Sequence, residues 1–222
     1  MITSEILQRV LYVKNGTSTG TAFFVTINKK VYIITAKHLF SDSISYNSEI
    51  EIEGWQNKSW LKIKGKLLYH ENKNIDIAVI DINQENLKEP TYDLSTKGMY
   101  VSQECFFLGF PFGFKMDEQI ELNNGMPLPF VKKGIISAWV DDTANVFRIF
   151  LDGHNNPGFS GGPVVITNTN SKNTKSIVGI VSGYVTDNKV LSSPSGNIIN
   201  RENSGIVIVY AIKHVYEILD RK

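Results

Sequence analysis

The stretch NPGFSGGPVV, residues 156–165, sets one hydroxyl, Ser160, among three glycines, Gly158, Gly161 and Gly162, and runs directly into an apolar segment. A serine alone is a weak nucleophile and needs a base and an orienting acid. Glycines around it leave room and unusual backbone angles for N–H groups that could hold a developing oxyanion, and the N–H groups of Gly158 and Ser160 are the natural pair. Taken alone, the same glycines also fit a flexible turn. Among four histidines, His38 closes the apolar run YIITAKHLF. There an imidazole is partly covered and partly accessible, which suits proton transfer near neutral pH. His70 precedes a polar turn, His154 lines a pocket or decorates its loop, and His214 falls in a C-terminal helix as a surface or capping residue. For the acid, Asp76 heads DIAVIDI, where a carboxylate among apolar neighbours has to be paired or hydrogen-bonded. Asp81 lies on the opposite strand face, and Asp42, close after His38, is a weaker rival. The histidines and the single cysteine, Cys105, show no ligand spacing, so neither a metal nor another cofactor is expected.

The elements that must position these residues are short runs rich in Val, Ile, Phe and Tyr: AFFVTI, VYIITA, IAVIDI, CFFLGF, GIISAWV, VFRIFL, PVVIT, SIVGIVSGYV and GIVIVYAI. They recur at close intervals with turn residues between them, which indicates antiparallel strands in a barrel or sandwich. IKHVYEILDRK carries Ile212, Val215, Tyr216 and Leu219 at helical spacing. SEILQRVL is either a helix capped by Ser4 or a strand. NQENLKEPTYDLSTKG, residues 83–98, breaks the pattern and reads as a linker, giving a front half over 1–97 with His38 and Asp76 and a rear half over 98–222 with Ser160. NTNSKNTKS and TDNKVLSSPSGNIINRENSG read as exposed loops, the second long enough to be mobile.

The 222 residues carry 23 basic and 22 acidic side chains, net charge +1, so no field draws the chain to nucleic acid or anionic lipid. No run approaches the roughly 20 apolar residues of a membrane helix, and the N-terminus lacks a signal-peptide pattern. With one cysteine and no internal disulfide, a cytoplasmic location is expected.

The order His38, Asp76, Ser160 is that of the chymotrypsin arrangement. The surrounding blocks resemble trypsin-like serine peptidases of the chymotrypsin fold, nearest to stand-alone bacterial and HtrA-type protease domains. TGTAFFV resembles the glycine-led strand before the catalytic histidine, ITAKHLF its T-A-x-H block, and NIDIAVI the acid's block. GFPFG and VKKGIISA resemble the opening of the second barrel, PGFSGGPVV the nucleophile block, and GIVSG and SGIVIVYAI follow in order. The resemblance implies an all-β fold of two packed antiparallel six-stranded barrels with a C-terminal helix. It implies a serine endopeptidase acting on protein or peptide substrates through a His38–Asp76–Ser160 triad and an acyl-enzyme, with the oxyanion on Gly158 and Ser160. His154, Asn155, Ser182 and Gly183 would then contact substrate, and Ser182 resembles the serine that hydrogen-bonds the buried acid. The chain departs from animal members at Phe159, where an aspartate pairs with a newly cut N-terminus, and at Leu39, which removes the disulfide beside the histidine. Its length leaves no room for a PDZ module. The alternatives are a catalytically silent or partner-activated binding module on this fold, with a possible regulatory partner protein, and an esterase with the same triad.

Overall fold

The computed structural model of the chain describes residues 1–41, 44–88, 90–117, 120–193 and 196–221. Asp42 lies outside them. A short helix α1 (Ser4–Leu7) opens the chain, capped by the Thr3 side chain rather than by Ser4. Six strands follow: β1 (Val10–Asn15), β2 (Ser18–Ile27), β3 (Lys30–Thr35), β4 (Ser48–Gln56), β5 (Ser59–Tyr69) and β6 (Ala78–Glu85). They form a closed antiparallel barrel in the order β1-β2-β3-β6-β5-β4. Two of its hairpins turn on Asn28-Lys29 and Asn57-Lys58, four residues with positive φ between 50° and 66°. Two consecutive left-handed residues make the tight turn whose twist matches the strands, and Asn tolerates it best.

After β6 come β7 (Asp93–Leu94), within the stretch assigned to the front half, and then β8 (Glu104–Gly109), β9 (Phe130–Asp141), β10 (Phe147–Asp152), β11 (Pro163–Thr167), β12 (Lys175–Ser193) and β13 (Gly196–Ala211). Six of these close on themselves, β11-β8-β9-β10-β13-β12 and back through a β12–β11 pairing, with β7 added to β12 in parallel. The stretch read as a linker therefore holds the end of β6 and all of β7. The stretch read as a mobile loop is instead the far end of a β12–β13 hairpin, paired from Thr186↔Asn203 to Ser193↔Gly196. The chain ends in helix α2 (Lys213–Leu219), which buries His214, Val215 and Ile218. Tyr216, expected on its apolar face, is 39% exposed. No described helix is long and apolar enough to cross a membrane.

Three apolar clusters explain why the strands read as unbroken hydrophobic runs. Leu11, Ile33, Ala78 and Ile80 fill the front barrel. Their strand neighbours Val10, Tyr12, Ile34 and Val79 point the other way, into a cluster shared with Leu108, Val165, Ile177, Ile212, Val215 and Ile218 from the rear half. Phe107, Ile149, Val164, Val178 and Val207 fill the rear barrel. β1, β3, β6, β8 and β11 thus bury both faces, one inside their barrel and one between the barrels, so over these stretches polar residues do not alternate with apolar ones, whereas β4, β5 and β9 alternate buried and exposed positions. The site forms along this seam.

Candidate active site

β3 ends at Thr35, and a single turn over Lys37–Leu39 follows, with Leu39 buried and the His38 side chain about half exposed. Asp76 sits between Ile75 and Ile77, both fully buried. Burying such a side chain stabilises by about 1.5–3 kcal/mol, so the two isoleucines anchor the segment and turn Asp76 toward His38. Its carboxylate accepts the His38 backbone N–H at 2.8 Å and the His38 Nδ1–H at 2.7 Å. It also accepts the Ser182 hydroxyl at 2.5 Å. A carboxylate only accepts, so Nδ1 carries the proton and Nε2 keeps its lone pair. The hydrogen bond that His38 donates to Asp76 raises the His38 pKa above 6.5, against a smaller opposing effect of burial and with added help from the Asp76 charge.

Ser182 arrives by a β-bulge. Val181 pairs with Val209 and Gly183 with Ile208, leaving Ser182 as the extra residue. A bulge re-aims a side chain and carbonyl out of the ladder. Here the hydroxyl reaches Asp76 and the carbonyl oxygen accepts the Ser160 hydroxyl at 3.0 Å. The structure thus brings His38, Asp76 and Ser182 together directly and joins Ser160 to them through Ser182. The hydrogen bond that the Ser160 hydroxyl makes runs to Ser182 rather than to His38.

The loop before β11 answers why three glycines surround the serine. Gly158 has φ 105° and Gly161 φ 86°. A Cβ at Gly158 would collide with the Phe110 carbonyl, and one at Gly161 with the Thr21 carbonyl and the Thr35 hydroxyl. Both glycines let the loop lie against backbone from each barrel. Loop carbonyls are pinned in turn: Pro157 O accepts from Phe112 N–H at 2.7 Å, and Phe159 O from Gly162 N–H at 2.8 Å. In a trans peptide the N–H points away from its C=O. These pins therefore turn the Gly158 and Ser160 N–H groups away from the loop's own acceptors, and neither has a hydrogen-bond partner among the described residues.

Phe159 is fully buried, edge-on to Phe107 at 5.2 Å, with the Lys132 ammonium 5.5 Å from its ring. Lys132 also donates to His154 O at 2.5 Å and to the Asn156 side-chain oxygen at 2.6 Å. An apolar plug and a lysine thus hold the loop where an aspartate would have held it in animal members. Asn155 is 2% exposed, its backbone carbonyl accepts from the Asn203 side chain, and its own side-chain oxygen is buried without a partner. The His154 side chain is exposed, and Gly183 has open space where a side chain would be. Sequence reasoning missed Thr21, Lys132 and Asn203. Thr21 donates its N–H to Ser160 O at 2.8 Å and its hydroxyl to Gly158 O at 2.6 Å, from a fully buried position.

Asp81 caps its own turn by accepting Asn83 N–H at 2.9 Å. His70, His214 and Glu217 gather elsewhere, with ligand atoms within 4.8 Å of one another, a grouping that sequence spacing conceals. His214 is fully buried, not on the surface. Its Nε2 accepts Phe147 N–H at 3.0 Å and its Nδ1 meets Glu217 at 2.5 Å, while His70 Nδ1 accepts Asn72 N–H at 2.9 Å and its Nε2 faces Glu217 at 3.4 Å. A metal-bound imidazole donates through its other nitrogen. Here both other nitrogens accept, so the nitrogens facing Glu217 carry protons, and the cluster is a hydrogen-bonded clamp on α2.

Several solved structures share this architecture. The HtrA-type protease AlgW with a tripeptide is 22% identical, TM-score 0.61, with 97% of this chain covering 60% of that one. The serine endoprotease from Yersinia pestis is 16% identical, TM-score 0.61, with coverages of 99% and 66%. An inactive-form serine-to-alanine mutant from M. tuberculosis H37Rv is 13% identical, TM-score 0.56, with coverages of 96% and 86%. The chain thus spans about 60% of the length of AlgW, and these likenesses carry the fold. No curated protein matches its sequence. The trypsin-like peptidase domain family matches residues 20–174, from the glycine-led β2 through the Ser160 loop and β11. With that match over most of its length, on the two-barrel fold of HtrA-type proteases, the chain belongs to the trypsin-like peptidase domain family.

Proposed function

We propose that the protein is a serine endopeptidase with His38 as general base, Asp76 as its orienting acid and Ser160 as nucleophile. His38 Nε2 takes the Ser160 proton as Oγ attacks the scissile carbonyl. The Gly158 and Ser160 N–H groups hold the oxyanion, the imidazolium returns its proton to the leaving amine, and water releases the acyl group. The observation that carries this reading is the Asp76 carboxylate. It fixes His38 with Nδ1 protonated and Nε2 free, in the same network that holds the Ser160 hydroxyl. Protein or peptide segments are the substrates, entering along Ser182 and Gly183. The lone Cys105 is buried, its thiol pushed up to about 12 by burial, which suits a reducing compartment such as the cytoplasm.

The test is a fluorophosphonate probe and a peptide library, applied to the parent and to Ser160→Ala. The parent labels at Ser160 and cleaves, and the variant loses on the order of 10⁶ in kcat. Equal cleavage by the two would remove Ser160 from the mechanism. One observation favours a second reading, a partner-activated enzyme: the Ser160 hydroxyl rests on the Ser182 carbonyl. On that reading the probe labels only when a partner or bound peptide is present.

A further inference from the structure

Between β8 and β9 the chain leaves the rear barrel in a strip that begins with a single turn over Pro111–Gly113. Phe112, Phe114 and Met116 are 63%, 61% and 45% exposed. The residues between them face the front barrel. A Cβ at Gly113 would stand 2.8 Å from the Tyr12 hydroxyl oxygen, and the Lys115 ammonium lies 4.4 Å from the Trp55 ring and 5.8 Å from the Tyr12 ring. Trp55 in turn donates to Asp117 at 2.9 Å, and Met116 pairs with Leu128 to close the base of the strip. The strip is therefore fixed, with one side packed and the other presenting three large apolar side chains to water. Phe112 and Phe114 stand edge-on, centroids 6.2 Å apart.

Phe112 has φ 53° and ψ 21°, a region that glycine enters freely and phenylalanine does not. That backbone shape delivers its N–H to Pro157 O, a task that needs no side chain. A glycine would serve, yet the position keeps an exposed ring. Large apolar surface held rigid in water marks a contact site, and this surface adjoins the nucleophile loop. The loop runs between two supports: Gly158 against the Phe110 carbonyl, and Gly161 donating to Val181 O at 2.7 Å. An extended peptide whose acyl half follows Ser182 and Gly183 passes its amine half to the opposite side of Ser160, where the strip lies.

We propose that Phe112, Phe114 and Met116 form an apolar subsite for the leaving-group half of a peptide, selecting large aliphatic or aromatic residues in the first positions after the scissile bond. The proposal rests on the peptidase reading for the direction of the substrate. Its test separates the two. In a Ser160→Ala background, two labelled hexapeptides are titrated by fluorescence anisotropy, one beginning Phe-Leu and one beginning Ser-Asp. Burying such side chains is expected to make the apolar peptide bind at least about tenfold more tightly. Phe112→Gly with Phe114→Ser, which keeps the Phe112 N–H, brings the ratio to within about twofold of unity. Phe114→Ser alone, away from the loop backbone, lowers it partway and guards against misfolding of the double variant. Equal binding of both peptides, or a preference that survives the double variant, overturns the subsite. In parallel, quenched-fluorescence peptides with one acyl half and either leaving half are offered to the chain with Ser160 intact. Cleavage with the same preference supports both readings. Preference in binding without any cleavage supports the subsite and overturns the peptidase, and cleavage without preference overturns the subsite alone.

Discussion

Thr21 offers the sharpest test of how the two barrels share one site. It is fully buried in β2, its hydroxyl donates to Gly158 O at 2.6 Å and accepts Phe110 N–H at 3.1 Å, and its carbonyl accepts from the Thr35 hydroxyl at 2.7 Å. Thr21→Val preserves the shape and the backbone bonds, including N–H to Ser160 O, and deletes the hydroxyl. Two buried backbone groups lose their partner, at about 1–3 kcal/mol each, so the expected loss is about 2–6 kcal/mol. At about 2–4 °C per kcal/mol for a chain of this size, the melting temperature falls by at least about 4 °C. Thr21→Ser keeps the hydroxyl and removes one methyl, at a cost of about 1 kcal/mol. Releasing Gly158 O also loosens the peptide that lies between the two proposed oxyanion donors, Gly158 and Ser160 N–H, with a fall in kcat bounded by the roughly 10²–10³ that one lost donor costs. Thermal melts and peptide kcat for both variants decide it. A valine variant that melts with the serine variant and keeps the parental kcat would refute the reasoning, because it would mean that the hydroxyl is not what positions the loop.

Other expectations follow from the same geometry. On the proposed mechanism His38 acts only when neutral, and its pKa is raised, so kcat/KM is expected to fall as pH drops through a value above 6.5. Asp76→Asn removes the main cause of that rise, moves the midpoint down and costs about 10⁴ in kcat; a pH–rate profile with an unmoved midpoint counts against the pair. Lys132→Met keeps the stem but loses the bonds to His154 O and Asn156, so denaturant unfolding is expected to show a loss of about 1–3 kcal/mol, and an unchanged midpoint would mean that the lysine pins nothing. His214 is held below 6.5 chiefly by burial, with Glu217 opposing and Lys213 and His70 adding to the fall. A depressed pKa means that the unfolded chain binds more protons, so stability is full above pH 6.5 and declines below it. His214→Gln, which can still accept from Phe147 and donate to Glu217, is expected to flatten the melting temperature between pH 7 and 5.

What the sequence discloses depends on whether a residue's partners leave a local trace. The two-sided burial of Ile33, Ile34, Val79 and Ile80 appears directly as apolar runs, and the order of His38, Asp76 and Ser160 is legible because each sits in a distinctive local block. The β12–β13 extension fails that test. It stands clear of both cores, so Val190 and Ile199 are paired yet about 60% exposed, and polar residues such as Lys189 and Glu202 join across the strands. A strand wet on both faces has no alternation to read. Thr21 looks like an ordinary β-former, because its acceptor lies 137 residues away. His214 looks like a surface residue of a helix until His70, Phe147 and Glu217 close around it. Long-range hydrogen bonds are set by the meeting of the barrels, which no window of sequence contains.

The bulge at Ser182 bears on whether the site waits for a partner. The Ser160 hydroxyl donates to Ser182 O in the resting structure, and in the proposed reaction the same proton passes to His38 Nε2. Exchanging one neutral hydrogen bond for another shifts free energy by no more than the net value of such a bond, about 0.5–1.5 kcal/mol. That is at most about a tenfold population difference. A blocked enzyme would instead need its oxyanion loop rebuilt, with Gly158 or Ser160 N–H occupied by an internal carbonyl. In this loop Pro157 O is taken by Phe112 and Phe159 O by Gly162, so those carbonyls are already committed elsewhere. On the proposed mechanism a side-chain rotation, not a backbone rearrangement, separates the resting hydroxyl from the reactive one. The expectation is fluorophosphonate labelling of Ser160 in the isolated protein, slowed by no more than about tenfold relative to the peptide-bound form. Labelling that is undetectable until a partner is added would place a loop rearrangement, and with it regulation, back at the centre of the mechanism.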